Sequence, residues 1–498
     1  MKYLLVLFFS LFLCLDAGAE TLYVCPASGE YGTEDGSSLA NCFDGTADVS
    51  WGVGAGSVSA GDTLCVSGNF TGSSESDVSG ITLRVDTSGT DANTLVTVDG
   101  DCDGDGVKAE FDGDNAVGIA IRTAIVGTSR TTYLRIKNIV MRQYTNKAVV
   151  TYNVTGDETS DANQIWTGIE IYDHGDGGAG DNCFDSRGRY ITLSDSIISG
   201  CDDDGVFHQG KYFTSDNLSV SDVSRATVTG DGIQIGGEGD GYSVTNFYCD
   251  HSAVDSKQCF ITSVLSDTGA NGILSDAEMH CKRGATSQNC AFVTGANAVV
   301  RRIFTDGGKY GIAVEDSTDS NGLVVESSIA INATADGIAV FGTNPTGINI
   351  RDNVSAFNGD RGIEIVPTNA MTIQNNIAYM NAGFGINRAH SSQVESYNAS
   401  FGNTAGNFAL TGSSTSAGTG SITTDPQLSG GITPSTPAGF KLLPSSPARR
   451  AGLDLNIGNI QDHGNRAFAH PPSIGAWEVT SGSEASSRTN ATTRAPRQ

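Results

Sequence analysis

The stretches Asn182-Cys183-Phe184-Asp185, Asp204-Gly205-Val206-Phe207-His208, Asp231-Gly232-Ile233-Gln234-Ile235, Gln258-Cys259-Phe260-Ile261 and Asn289-Cys290-Ala291-Phe292-Val293 repeat one pattern: polar, small, apolar, variable, then often apolar. With Gly205, Gly232, Cys259 and Cys290 as equivalents the spacings are 27, 27 and 31, and the series continues through Gly311, Gly337, Gly362 and Gly385 at 21, 26, 25 and 23. A short unit of this kind cannot bury its apolar face alone and does so by stacking on its neighbours. The repeat therefore predicts an all-β solenoid, and one elongated domain rather than several globular ones.

Side chains alternate across a strand, so Ile233, Ile235, Ile312, Val314, Ile338, Val340, Ile363 and Ile365 form inward ladders. Outward equivalents stack coil upon coil at a spacing of about 4.8 Å. That outward row reads Asp185, Phe207, Gln234, Ile261, Phe292, Ala313, Ala339, Glu364, Asn387. Phe207, an outward aromatic between Asp185 and Gln234, is a candidate sugar-stacking platform or part of a second small core under loops. His208 falls on an inward position, where a core histidine and a catalytic one are the alternatives.

Around the repeat the chain is acidic and turn-rich: 56 Asp plus Glu against 29 Lys plus Arg, a net charge of −27, and 63 Gly in 498 residues. Nucleic acid and anionic membrane surfaces would be repelled over most of such a surface and are excluded as partners. Residues 1–19, with Lys2, the apolar run Leu4 to Leu15 and Ala17-Gly18-Ala19, read as a secretory signal cleaved before Glu20. Later segments fall short of the ~20 apolar residues of a membrane helix, so the mature chain is expected in a secreted, periplasmic or cell-surface location. Of the 11 cysteines, Cys14 leaves with the signal and ten remain for disulfides. Cys25 with Cys42, Cys65 with Cys102, Cys249 with Cys259 and Cys281 with Cys290 are the local pairings, although connectivity is open.

The organisation then reads as residues 20–130 for an N-terminal cap and first coils, 131–390 for central coils, 391–478 for the last coils and a C-terminal cap, and 479–498 for a disordered polar tail. A monomer is expected. Asp101, Asp103, Asp105 and Gly106, followed by Asp112, match the start of a calcium-binding loop, or form an acidic glycine turn.

The chemistry-bearing residues gather around the central repeat. Asp202, Asp203 and Asp204 with Asp231 one coil on would repel unless a hard cation or well-placed donors compensate, so calcium is the candidate cofactor and these four its ligands. The alternative is aspartate at glycine turns, each bonding nearby backbone. Lys257, Lys211, Arg187 and His251 are few cationic groups among many anions. Together with Asp185 and Phe207 they are what binding of an acidic sugar requires. Elimination beside a uronate needs the carboxylate neutralised and a base for the adjacent proton. Hydrolysis needs two carboxylates across the bond, for which Asp185, Asp204 and Asp231 are candidates.

The repeats and aspartate turns resemble the pectate lyase-like, right-handed parallel β-helix superfamily over most of residues 21–478. Leu22-Tyr23-Val24-Cys25, Asp35-Gly36-Ser37-Ser38 and Gly61-Asp62-Thr63-Leu64 resemble the capping first coil of its exported members. Ser445-Ser446-Pro447-Ala448 and Ser473-Ile474-Gly475-Ala476-Trp477-Glu478 resemble the segments that cover the last coil. One branch carries Asp-Asp-Gly-aromatic-Asp on calcium and, one coil later, Gly-x-Gly-Phe-Lys-Leu-Gly-Gly with lysine as base. This chain has Asp203-Asp204-Gly205-Val206-Phe207 and then Gly230-Asp231-Gly232-Ile233-Gln234-Ile235-Gly236-Gly237. Phe207 replaces the last aspartate and Gln234 the lysine, and glutamine cannot take a proton near neutral pH. Lys257, from the neighbouring coil, is the substitute base, with Asp231, Gln234 and His208 the other catalytic candidates. The resemblance implies a polysaccharide lyase or glycoside hydrolase acting on an anionic polysaccharide. The alternative is a non-catalytic carbohydrate-binding, adhesive or structural β-helix protein.

Overall fold

A computed structural model describes residues 19–478, apart from 28, 78, 124–130, 153–160, 179, 224–229, 238, 254–257, 263–269, 316–319, 343–344 and 456–459. The chain is a right-handed parallel β-helix whose coils present three faces. A continuous ladder runs through one face, with strands Ile81–Arg84, Ile119–Arg122, Lys147–Val150, Phe184–Arg187, Val206–Gln209, Ile233–Gly236 and Phe260–Thr262 in its first half. This is the third face in each coil. The other two belong to one sheet, because in three coils they form a single bent strand: Arg189–Cys201, Thr214–Ser221 and Ser243–His251.

The bend between those two faces needs a left-handed residue in each coil. Asn138, Asp195, Asn217, Asn246, Asp276, Asp352 and Asn375 supply it with φ between 49° (Asp195) and 59° (Asn138). Asparagine and aspartate tolerate this region better than other non-glycine residues, because a short polar side chain bonds locally.

The small residue of the repeat has a steric cause. A Cβ on Gly232 would lie 2.4 Å from the Cys259 carbonyl oxygen, and one on Gly337 1.9 Å from Ser355 Oγ. Where the repeat carries cysteine instead, the thiol bridges to the end of a second-face strand: Cys183 to Cys201, Cys259 to Cys249 and Cys290 to Cys281. Cys25–Cys42 and Cys65–Cys102 complete five disulfides.

The inward ladder is continuous, Phe184, Val206, Ile233, Phe260, Ala291, Ile312, Ile338, Ile363 and Ile386 standing in register. All are buried, and each large apolar side chain contributes about 1.5–3 kcal/mol. The later coils add two internal asparagine ladders. Asn353 accepts from Ser328 N and donates to Asn376, which donates to Asn398. Asn358, Asn381 and Asn403 repeat the arrangement. Buried amides are thereby satisfied by their equivalents one coil on.

The C-terminal segment, expected over the last coil, buries its apolar side chains on the flank. Leu428, Phe440, Leu442, Ala448, Ile474, Ala476 and Trp477 pack on Phe304, Ile329, Ile331, Val354, Ala356, Ile377, Tyr379 and Ala399. Ser327 Oγ donates to the Gln461 carbonyl at 2.7 Å, and Asn375 Nδ2 to that of Leu453 at 3.0 Å. The third face ends in an antiparallel turn, Gly406–Leu410 with Ser413–Ser414. Residues 1–18 and 479–498, read as signal and tail, lie outside the described residues. Among the described residues no helix is long and apolar enough to cross a membrane.

Candidate active site

The outward row predicted from Asp185 to Asn387 is the register observed on the third face. It extends upstream, because Val150 faces Asp185, Arg122 faces Val150 and Arg84 faces Arg122 on successive coils. Asp185 is only 1% exposed although it points outward. Its Oδ2 accepts from Lys147 Nζ and, at 2.9 Å, from Tyr152 Oη, with Asn182 Nδ2 at 3.5 Å. Its Oδ1 is buried and without a hydrogen-bond partner. Lys147 Nζ also donates to Tyr152 Oη at 3.3 Å. Arg187 lies over the Tyr152 ring, 4.0 Å from its centroid.

The cluster fixes two protonation states. Burial opposes the Lys147 ammonium, but the Asp185 carboxylate and its hydrogen bond outweigh burial and raise the lysine above its ordinary value. Burial and the Asp185 charge raise Tyr152, against the opposing pull of Lys147 and Arg187. Lys147 is therefore a cation and Tyr152 a protonated phenol near neutral pH. The group offers fixed positive charge, a proton donor and a carboxylate oxygen with a free lone pair in one place. Half-buried Phe207 and Gln234 continue the row beside it.

Lys147 and Tyr152 escape the sequence reading, which starts the repeat at Asn182. The signal is a shared offset: Val150 and Asp185 are register partners, and Tyr152 and Arg187 stand two residues beyond each.

The aspartate turns serve the backbone. Asp202 Oδ2 accepts from Gly177 N at 2.8 Å and Asp203 Oδ2 from Gly180 N at 2.6 Å. Asp204 Oδ1 accepts from Asp231 N at 2.7 Å, and Asp231 Oδ1 from Gln258 N at 2.9 Å. Burial, then Asp231 and Asp203, push the Asp204 carboxyl well up. Among the described residues the donor groups converging within 4.8 Å are Asp101, Asp103 and Asp105, and two sets around the cysteine bridges, Cys249, His251, Cys259 and Cys259, Cys281, Cys290. None includes Asp202, Asp203, Asp204 or Asp231. Only the 101–105 loop among these acidic groups brings its carboxylates together, although Asp101, Asp103 and Asp105 also accept from the backbone N–H groups of Gly106, Asp105 and Val107.

Other expected site residues are dispersed. His208 is buried, with Nδ1 2.9 Å from Ser186 Oγ and its ring 4.9 Å from that of Phe213, so it is a core side chain. His251 is also interior, and burial lowers it to about 4, so it is uncharged and removed from any sugar on the surface. Lys211 pairs with Asp240 at 3.2 Å, past the end of its strand. Lys257 lies outside the described residues.

Fold and cluster together define a parallel β-helix with a polar site on one outward face. No family model and no curated protein matches the sequence. Among solved structures, the chain is similar to the pectate lyase Pel9A at 12% identity and TM-score 0.45, over 93% of this chain and 97% of that one. It is also similar to the periplasmic alginate epimerase AlgG at 11% identity and TM-score 0.39, over 70% and 76%. The Azotobacter vinelandii mannuronan C-5 epimerase AlgE6 A-module follows at 12% identity and TM-score 0.36, over 82% and 92%. At these identities the likeness concerns the fold.

Proposed function

We propose that this protein is an exported enzyme that cleaves an acidic polysaccharide by β-elimination at a uronate, with Lys147, Tyr152, Asp185 and Arg187 as its active site. The observation that carries this reading is the buried Asp185 carboxylate, one oxygen held by Lys147 and Tyr152 and the other unpartnered. Lys147 and Arg187 neutralise the uronate carboxylate and so acidify the adjacent C–H. The Asp185 Oδ1 accepts that proton as the bond from the ring to the glycosidic oxygen breaks. Tyr152 donates its phenolic proton to the departing oxygen, and proton return from Asp185 to Tyr152 restores both groups. Phe207 provides apolar surface for the sugar ring. Calcium, in this reading, is held by Asp101, Asp103 and Asp105 and stabilises the fold without entering the proton transfers.

The test is release of unsaturated sugar from a panel of uronate polymers by wild type, Tyr152→Phe and Asp185→Asn. Both variants should lose about 100-fold or more in kcat while retaining the wild-type circular dichroism spectrum. Unchanged turnover in both overturns the site. Half-buried Phe207 beside Asp185 also suits a non-catalytic glycan-binding surface; polymer binding with neither unsaturated product nor new reducing ends selects that alternative.

A further inference from the structure

On the second face, Tyr248, Glu278 and Phe304 stand in one row of register partners, and Asp250, His280 and Asp306 in another. The C-terminal segment covers Phe304 but leaves Tyr248 40% exposed. Where that cover stops, Ser252, His280, Cys281, Lys282, Arg283 and Asp306 line a cavity of about 460 Å³, within the range of about 300–1,000 Å³ usual for small-ligand sites. The polar groups of the cavity are held from behind. Arg283 Nε and Nη2 donate to Asp306 at 3.0 and 2.7 Å, and Asn332 Nδ2 donates to the same carboxylate at 2.9 Å. His280 Nε2 lies 2.9 Å from Glu278 Oε1, and Ser252 Oγ donates to Asp250 at 2.6 Å. The His280 ring stands 5.9 Å from that of Tyr248 and 5.9 Å from that of Phe304, which links the cavity to the exposed phenol. Arg283 is answered by Asp306 and His280 by Glu278, so hydrogen-bonding capacity rather than surplus charge is what the cavity offers. Asp306 takes only part of the guanidinium fork, and Arg283, whose side chain is 61% exposed, keeps further N–H donors.

We infer that this cavity is a non-catalytic saccharide site, in which the Arg283–Asp306 fork holds vicinal hydroxyls and Tyr248 covers the C–H side of the sugar ring. A hydroxyl both donates and accepts, and a guanidinium fixed to a carboxylate presents donors and lone pairs side by side. The Tyr248 ring supplies apolar surface with a polar tip, as sugar contacts require. Because Arg283, His280 and Ser252 are already held by partners, they lose little freedom when a ligand arrives. Recognition through hydroxyls does not need a uronate, so neutral sugars qualify as ligands. The cavity lies on the second face and Asp185 on the third, so one stretch of a polymer can be held here while another reaches Asp185. That holding role rests on the Asp185 reading; sugar binding in the cavity does not.

The experiment is calorimetric titration of wild type, Tyr248→Ala, Arg283→Gln and Asp185→Asn with oligosaccharides of glucose, mannose and galactose and of their uronic acids, at low and high salt, with thermal melts of each protein. Wild type should bind at least one neutral oligosaccharide with an affinity that salt leaves unchanged. Tyr248→Ala and Arg283→Gln should each weaken that binding about ten-fold, and Asp185→Asn should bind it as wild type does. Tyr248 is exposed and its replacement breaks no ion pair, so this variant keeps the test decisive should Arg283→Gln melt early. Failure of wild type to bind any neutral oligosaccharide, or equal binding by wild type and Tyr248→Ala, overturns the site. Loss of neutral-sugar binding in Asp185→Asn overturns it as well, by moving the sugar to the third face. Neutral-sugar binding that depends on Tyr248, without unsaturated product from any uronate polymer, upholds the cavity and overturns the Asp185 reading.

Discussion

Asp185 is a carboxylate that the fold brings onto a face and then withdraws from water, and its partners determine what that costs. Removing one member of a buried pair leaves the other charge uncompensated, a loss of about 3–5 kcal/mol. Asp185→Ala should therefore destabilise the protein toward that range in urea unfolding, because it strands Lys147. The pH dependence has a definite sign. The folded-state value of Lys147 is raised above 10.5, so its pairing contributes fully below 10.5 and is lost as pH rises through the raised value. Thermal melts of wild type should fall on that alkaline limb, and Lys147→Met should flatten it. A chelator tests the calcium reading separately: its addition should lower the melting temperature and leave turnover by the Asp185 site unchanged.

At the scale of the element, the aspartate turns hold one coil to the next. Asp204 presents an acceptor to Asp231 N, and burial first, then Asp231 and Asp203, push its carboxyl well up. Asparagine keeps an acceptor oxygen for Asp231 N, so Asp204→Asn should be close to wild type in stability. Asp204→Ala should cost about 1–3 kcal/mol, the price of a buried donor left without its acceptor. The contrast between the two variants in equilibrium unfolding tests this structural role. Catalytic loss in Asp204→Asn with unchanged stability would return the residue to the active site.

Across the whole molecule, stability depends on what covers the flank of the later coils. The 428–477 segment shields Ile329, Val354, Ile377 and Tyr379, and a chain ended before Leu428 should bind hydrophobic dyes and aggregate. Asp352 lies at the αL bend of one covered coil, fully buried, and burial raises its carboxyl from 3.8 to about 7. Its folded-state value exceeds the unfolded one, so the folded state binds more protons between these limits. Its contribution to stability is present below 3.8 and declines as pH rises toward about 7. Asp352→Asn should remove that decline, and an unaltered melting profile from pH 4 to pH 7 would show that Asp352 does not control it.

The repeat was legible because sterics write it into the chain: Gly205, Gly232 and Gly337 recur where a Cβ would strike the next coil. Alternation across short strands then determined the inward ladder through Ile233, Ile312 and Ile338 and the outward row through Asp185, Phe207 and Gln234, residue by residue. Four of the five disulfides are among the pairings the sequence offered, whereas Cys183–Cys201, which joins neighbouring coils as Cys65–Cys102 also does, is not. The αL bends at Asn138, Asn217 and Asn246 left only a weak trace, since asparagine also marks ordinary turns. The active-site cluster was not readable in the same way. Lys147, Tyr152 and Asp185 are 38 and 33 residues apart along the chain in their two pairings with the aspartate, and their meeting depends on loop lengths that no local pattern encodes. Sequence alone thus determined the solenoid and which side chains face in or out, because those follow from a local period. Only the tertiary structure decided that Asp202, Asp203, Asp204 and Asp231 bond backbone while Asp185 keeps a buried unpartnered oxygen, because desolvation and pairing are properties of neighbours the chain brings together only on folding.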